Sequence, residues 1–472
     1  MKRSLALVIA ACGSHAGGAA DAPLAPDAPG PASALAISLD RAAGSHAIAV
    51  TVHASDAAGQ PVAGAAIALA VSGGTSTAVR DAGGGDYAAT VQPDALDTEV
   101  TIVASTGALQ ATKVALALAT IDDTLGQPEA VDGLVNSPGW EDGANISPDG
   151  QWLIVASYVP VDLLTCTLDG ESPPSAACTT VIGPYAAPER PGMLGAERIH
   201  DGTFDNDCPD LGVTSPSTSN AFVPIAGYGF HRQADGSFAE PFVIGFDADG
   251  CLGPYGYAFT AAPQGSSAAL VFANGDLGSS KMASSIWYTP ITLGQPNLLG
   301  TYRIVDDMLQ VTGFTPTELP PVLTTRQGNP FYSAGRLYWD DEDLAPADQD
   351  LYVADLTGTL PQVTAGPAQT VGVSLPGTQE IQPAVDGADL YWMGGGTLWR
   401  ATLASGADPA QAASWSPRAP LLGPAAADTA PILALGEPNV AHVGGKLELY
   451  FVYIKQAPGG GYDANIGRVV AR

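Results

Sequence analysis

The chain has 472 residues, with 18 basic against 48 acidic side chains and a formal net charge of −30. No basic footprint exists to grip a nucleic acid or an anionic lipid surface, so both function classes are excluded. An apolar share of 46% supports packed cores, and the length allows two or three domains.

Lys2 and Arg3 precede a short apolar run at 5–11, too short to span a bilayer as a helix. The run ends Ile9-Ala10-Ala11-Cys12, with Gly13 behind it. This N-terminus resembles a bacterial lipoprotein signal. The resemblance implies a signal peptide at 1–11, cleavage before Cys12 and acyl chains on Cys12. It also implies a product exported and anchored to the cell envelope, with the outer membrane expected, and without a membrane span. Residues 12–34 are Gly, Ala, Pro and Asp with almost no large apolar residue, which predicts a flexible tether.

From 35 to 120 the pattern is short strands of period-two alternation, such as HAIAVTVHA and TEVTIVAS. Ser, Gly, Asp and Pro interrupt them about every ten residues, the spacing of an Ig-like β-sandwich of some seven strands. The segment DAAGQPVAGAAI, from Asp56 to Ile67, resembles the turn of invasin- and adhesin-type bacterial Ig-like domains, and Gly85-Asp86-Tyr87 resembles their later Gly-x-Tyr strand. In that turn Pro61 fixes one torsion and Gly59 permits a positive φ. The resemblance implies a spacer or adhesion module.

From 125 to 472 one phrase recurs: ANISPDGQWLIV from Ala144, NPFYSAGRLYW from Asn329, PAVDGADLYW from Pro383 and NVAHVGGKLELYF from Asn439. Repeated short strands of this kind predict a radial β architecture, in which no repeat can bury its own faces alone. The first copy resembles the TolB-type, WD-like propeller repeat, with Ser147-Pro148-Asp149-Gly150 as the turn between inner strands. The fold expected is therefore all-β, a sandwich followed by a β-propeller. Five blades are preferred, with inner strands near Ala144, Tyr257, Pro330, Gln382 and Asn439. Six are the alternative, because the stretch 296–328 is ambiguous. Third strands are expected to begin near Ser285, Asp350, Thr397 and Asn465. The last of these ends the chain, leaving the final blade short of an outer strand; GQPEAVDGLV at 126–135 can supply it and close the ring.

The first blade is interrupted between LIVASYV and AFVPIAGYGFHR by an insertion at about 162–219, too long for a structureless loop without a role. It carries Cys166, Cys178 and Cys208, with Cys251 further on. In an exported chain these four predict two disulfides; three connectivities are open, and Cys166 with Cys178 plus Cys208 with Cys251 is favoured.

Two constellations could carry chemistry. Glu141, Glu380 and Glu437 lie ahead of inner strands, where a five-bladed ring would aim them at the central cavity. Five-bladed glycosidases use carboxylates from different blades in this way, which would make these three the catalytic set and Trp140 and Trp392 ligand-stacking platforms. A Glu at this position also recurs in non-catalytic TolB-type repeats as a packing and capping residue. Asp205, Asp207, Asp247 and Asp249 are candidate calcium ligands in acidic loops, although no EF-hand glutamate follows. Calcium is the one cofactor these loops suggest. No Gly-x-Ser-x-Gly elbow or His-Glu-x-x-His helix is present, which argues against serine hydrolase and zinc protease chemistry. The function expected is a lipid-anchored envelope binding or scaffold protein whose partner is a protein or polysaccharide; the alternative is a five-bladed carbohydrate-active enzyme.

Overall fold

The computed structural model describes residues 30–136, 140–160, 222–248, 255–274, 285–305, 308–313, 315–321, 327–341, 348–425, 430–456 and 462–472. Cys12, the signal and tether, the insertion with Cys166, Cys178 and Cys208, and Cys251 lie outside these residues, so the anchor and disulfide expectations concern parts of the chain beyond them.

The first strands are β1 (Ala34–Arg41), β2 (Ile48–Ser55), β3 (Ala68–Ser72), β4 (Gly74–Ser76), β5 (Arg80–Gly83), β6 (Asp86–Pro93), β7 (Thr98–Thr106) and β8 (Leu109–Ala117). They form a sandwich. One sheet runs β1-β2-β6-β4, with β5 also on β6, and the facing sheet begins β3-β7-β8. Alternation is the reason. In β2, Ile48, Val50, Val52 and Ala54 turn inward and meet Val100, Ile102 and Ala104 of β7 in one core.

The turn noted in the sequence is organised by its own side chains. Asp56 Oδ1 accepts the amides of Ala58 and Gln60, both at 2.9 Å. Tyr87 Oη donates to Val62 O at 2.9 Å and accepts from Ala65 N at 2.5 Å. Gly85 passes so close to Pro61 that an added Cβ would lie 2.8 Å from the proline ring. The two sequence elements therefore meet in space.

Two very short strands follow, β9 (Thr120–Ile121) and β10 (Glu129–Ala130), and then five blades. Blade 1 holds β11 (Trp140–Ile146), β12 (Trp152–Pro160), β13 (Phe222–Arg232) and β14 (Phe238–Ala248). Blade 2 holds β15 (Tyr255–Phe259), β16 (Ser267–Asn274) and β17 (Ser285–Thr292). The chain then leaves blade 2 for a hairpin, β18 (Asn297–Val305) and β19 (Met308–Thr312), in which β18 pairs parallel to β14 of blade 1. It returns as β20 (Thr317–Glu318) on the edge of β17. That excursion is why 296–328 suggested a sixth blade; its strands extend a neighbour instead.

Blade 3 is β21 (Gln327–Ser333), β22 (Arg336–Asp341) and β23 (Leu351–Thr359), with β24 (Gln362–Ala365) and β25 (Gln369–Thr370) both on β23. Blade 4 is β26 (Ile381–Asp386), β27 (Asp389–Gly394), β28 (Thr397–Thr402) and β29 (Ala419–Gly423). Blade 5 is β30 (Ile432–Val443), β31 (Lys446–Gln456) and β32 (Tyr462–Val470).

Each inner strand packs on the next, and β30 returns to β11, closing a five-membered ring. Apolar cores fill the wedges between blades. Tyr338, Leu351 and Val353 of blade 3 meet Leu390, Trp392 and Ala401 of blade 4. Ala258, Val271 and Ile286 of blade 2 meet Leu337 and Trp339 of blade 3.

The ring is latched twice from the segment preceding it. β10 pairs antiparallel with β32, Glu129 opposite Arg468, and so supplies the outer strand that blade 5 lacks. β9 adds a fifth strand to blade 4, on the edge of β29, with Ile121 opposite Leu422. β10 also pairs with β8, so one seven-stranded sheet, β3-β7-β8-β10-β32-β31-β30, belongs to both sandwich and propeller. Leu116 and Leu118 pack in the same core as Phe451 and Val469. Arg41, 3% exposed, donates to the carbonyls of Ile121, Asp122 and Gly126 at 3.1, 2.7 and 3.2 Å, tying β1 to the connecting segment. The sandwich is thus built into the propeller's edge.

Candidate functional site

The inner strands share one irregularity. Each ladder breaks register at the same point: between Asp142 and Asn145, Tyr255 and Ala258, Gly328 and Phe331, Ile381 and Ala384, and Gly436 and Asn439. Each break contains one residue of positive φ: Gly143 (73°), Gly256 (58°), Asn329 (40°), Gln382 (59°) and Glu437 (49°). A bulge of this kind bends the strand and re-aims its side chains. Repeated five times around the axis, it builds the wall of the central channel. A non-glycine residue in the left-handed region costs about 1–2 kcal/mol, so three such residues require compensation from their surroundings.

That compensation is a belt of hydrogen bonds running from blade to blade. Asp340 Oδ2, on β22, accepts from Asn329 Nδ2 at 2.9 Å and from the Gln382 amide at 2.7 Å, joining blades 3 and 4. Gln382 Nε2 donates to Glu437 Oε1 at 3.1 Å, and the Glu437 amide donates back to Gln382 Oε1 at 2.9 Å, joining blades 4 and 5. Glu437 shares a hydrogen bond with Asp142 across to blade 1. Asn439 Nδ2 donates to Asn145 Oδ1 at 3.3 Å across the same seam. Burial first, then the Asp142 charge and hydrogen bond, and more weakly Asp340, raise Glu437 well above the usual carboxylate range.

The cavity between these residues has a volume of about 20 Å³, lined by Asn145, Tyr257, Asn329, Gln382, Glu437 and Asn439 among others. One water molecule needs about 10–15 Å³. Small-molecule sites occupy about 300–1,000 Å³.

Of the three expected catalytic carboxylates, Glu437 lines this cavity and the other two have other places. Glu141 and Glu380 both stand two residues ahead of their bulge residue, whereas Glu437 is itself the bulge residue, so the three are not equivalent around the ring. Glu380 is wholly buried. It accepts from Arg418 Nη1 at 2.8 Å, Thr378 Oγ1 at 2.5 Å and Leu375 N at 3.2 Å, closing the turn before β26. Glu141 is wholly buried in β11.

Trp392 is also wholly buried, with the Arg418 guanidinium 5.5 Å from its ring centre, so it offers no stacking face to a ligand. The assignment of Trp392 as a platform is corrected: the position faces the wedge between blades 3 and 4 and fills that core. Trp140 opens β11 opposite Tyr158. Asp247 lies in β14, its backbone paired with Thr301, and Asp205, Asp207 and Asp249 lie outside the described residues. Among the described residues no group of three or more His, Cys, Asp or Glu side chains is placed to hold a metal.

In the sequence Asp142 and Asp340 stand out only as members of acidic clusters, and Asn329 and Gln382 carry no site role. A signal for two of them is there: Asn329-Pro330 and Gln382-Pro383 repeat the polar-proline pair of Glu437-Pro438. Proline lacks the amide a ladder needs and so marks a break in it.

No known family's sequence profile matches the chain, and no characterised protein matches it in sequence. Among solved structures, it is similar to an α-L-arabinofuranosidase from Lactobacillus brevis (TM-score 0.35, 11% identity, 51% of this chain and 86% of that one). It is likewise similar to a β-1,2-mannobiose phosphorylase from Listeria innocua (0.35, 12%, 75% and 93%) and to a protein of unknown function from Dyadobacter fermentans (0.34, 10%, 92% and 95%). At these scores the likeness names no family, and the description of the fold rests on the chain's own sheets.

Proposed function

We propose that the chain is a binding and scaffold protein of the bacterial cell envelope. It is held by lipid on Cys12 through the 12–34 tether, and it engages a protein partner or an envelope polysaccharide through its outer surfaces. The observation that supports this most is the size of the central cavity. About 20 Å³ takes a water molecule and no sugar ring, and the carboxylates around it are spent on hydrogen bonds between blades.

The continuous sheet from β8 through β10 to β32 also supports it, because a sandwich fused to a ring presents both surfaces in one fixed orientation. The positive start, short apolar run and Ile9-Ala10-Ala11-Cys12 support the anchor.

The test uses the full chain. Capture from solubilised membranes and a polysaccharide binding screen, with and without calcium, should yield a bound partner and no product. Metabolic palmitate labelling should disappear in Cys12→Ser, which should no longer partition with membranes. Release of reducing sugar that is abolished by Glu437→Gln would overturn the reading in favour of a carbohydrate-active enzyme.

A further inference from the structure

A recess lies between sandwich and propeller. It has a volume of about 650 Å³, within the range of about 300–1,000 Å³ in which proteins hold ligands. It is lined on one side by β1 and on the other by Val469 and Val470 at the end of β32, Ala471, Arg472 and Lys446, with Lys113, Glu129 and Arg468 completing the lining.

Four consecutive residues of β1, Ile37, Ser38, Leu39 and Asp40, line this cleft. Neighbours on a strand point to opposite faces of the sheet. Four in succession can border one cleft only if it runs along the edge of the strand. β1 is the outermost strand of its sheet.

The hydrogen-bond phase fixes which backbone groups face the cleft. Ala54 of β2 donates its amide to Gly85, away from β1. In an antiparallel ladder the amide and carbonyl of one residue point the same way, and paired residues share the phase. Leu35, opposite Ala54, therefore turns its backbone groups away from β2, and Ile37 opposite Val52 and Leu39 opposite Val50 do the same. The Arg41 amide, next in that phase, is satisfied by Asp40 Oδ1 at 2.8 Å. The amides and carbonyls of Ile37 and Leu39 have no strand partner among the described residues.

Charge narrows the ligand. Of the three acidic side chains lining the cleft only Glu129 is ion-paired; Asp40 and Asp235 accept neutral donors and keep their charge. Asp40 takes the Arg41 amide, Asp235 takes Ser237 N and Oγ at 3.0 and 2.6 Å, and Glu129 takes Lys113 and Arg468. Lys446 and Arg472 are exposed and form no ion pair among the described residues. The protein's −30 acts at longer range and is screened beyond about 8 Å at physiological salt.

We propose that this cleft binds an extended acidic peptide segment of a partner protein, which adds as a strand on the β1 edge at Ile37 and Leu39 and places its carboxylates against Lys446 and Arg472. Main-chain pairing supplies the affinity and the two cations set the side-chain preference. The proposal sharpens the scaffold reading; that reading would survive on the propeller's own surface if the cleft bound nothing.

The probe is a fluorescein-labelled hexapeptide of alternating valine and glutamate, titrated with the full chain and followed by anisotropy. A companion peptide has lysine for glutamate. The glutamate peptide should bind, and the lysine peptide should bind at least about tenfold more weakly. Lys446→Glu should weaken the glutamate peptide about tenfold or more. Leu39→Pro removes an outward amide from an edge strand, where proline is tolerated, and should abolish binding while the melting curve stays cooperative. Should Leu39→Pro not fold, amide exchange in the parent decides: Ile37 and Leu39 should gain protection when the glutamate peptide is added. Failure of the glutamate peptide to bind, equal binding of both peptides, or binding without protection at Ile37 and Leu39 overturns the proposal.

Discussion

Glu437 on blade 5 and Gln382 on blade 4 hydrogen-bond in both directions, side chain to side chain at 3.1 Å and side chain to backbone at 2.9 Å. Both residues have positive φ, at 49° and 59°. Two strained residues on adjacent blades thus stabilise each other's conformation, and the belt they belong to runs from blade 3 to blade 1.

The belt sets a pH dependence with a definite sign. Burial beside Asp142 raises the folded-state pKa of Glu437 above its unfolded value. For such an acid the unfolded state gives up its proton first as pH rises. The group's contribution is therefore fully present below the unfolded pKa and is lost as pH climbs through the folded one. Glu437→Gln keeps a donor toward Asp142 and cannot ionise. Thermal unfolding across pH should show the variant equal to the parent near pH 4 and increasingly more stable than it as pH rises above the ordinary carboxylate range toward the raised folded-state value.

Asp340 is the acceptor that two strained residues share. Asp340→Ala leaves the Asn329 carboxamide and the Gln382 amide short of their partner. A buried donor without a partner costs about 1–3 kcal/mol, so urea unfolding should show a loss of about 2–4 kcal/mol. Asp340→Asn, which keeps one oxygen, should lose less.

Glu380 separates a structural role from a catalytic one. Its carboxylate is wholly buried against Arg418, which in turn lies over Trp392 and Trp399 at 5.5 and 5.2 Å. Removing one partner of a buried ion pair costs about 3–5 kcal/mol. Glu380→Ala should lower stability by that order in denaturant titration. Glu380→Ala with Arg418→Met should recover part of the loss, which a catalytic carboxylate would give no reason to expect.

The blade turn predicts a steric effect. Gly150 has a φ of 71° and sits against Val443 of blade 5, so that an added Cβ would lie 2.2 Å from Val443 Cγ2. Gly150→Ala therefore meets both backbone strain and a clash. Its melting temperature should fall, and Gly150→Ala with Val443→Ala should regain the steric part alone.

The sequence made the ring legible because four of the five blades repeat a hairpin whose turn residues act locally. Ser147 Oγ, for instance, accepts from Trp152 N at 2.9 Å and donates to Asp149 at 2.6 Å, all within six residues. The closing role of 126–135 was legible for the same reason: the last blade visibly lacked a strand. The channel was less so. Glu141, Glu380 and Glu437 look alike when placed ahead of an inner strand, but the first two stand two residues before the bulge position and Glu437 occupies it, an offset that only the polar-proline pair at Gln382-Pro383 and Glu437-Pro438 marks. The partners of Glu437 come from three different blades, Gln382, Asp142 and Asp340, separated by long stretches of chain. The fusion of sandwich to propeller was hidden too, because it rests on β10, a strand of two residues.

That fusion is the central claim, and calorimetry of the full chain tests it most directly. Arg41→Ala removes the donor that ties β1 to Ile121, Asp122 and Gly126, and the loss of a buried donor of this kind is worth about 2–4 kcal/mol. The parent should unfold in one cooperative transition, and Arg41→Ala should shift that whole transition downward. Two resolved transitions in the parent, with only the smaller one moving in Arg41→Ala, would show two independent units and contradict the account.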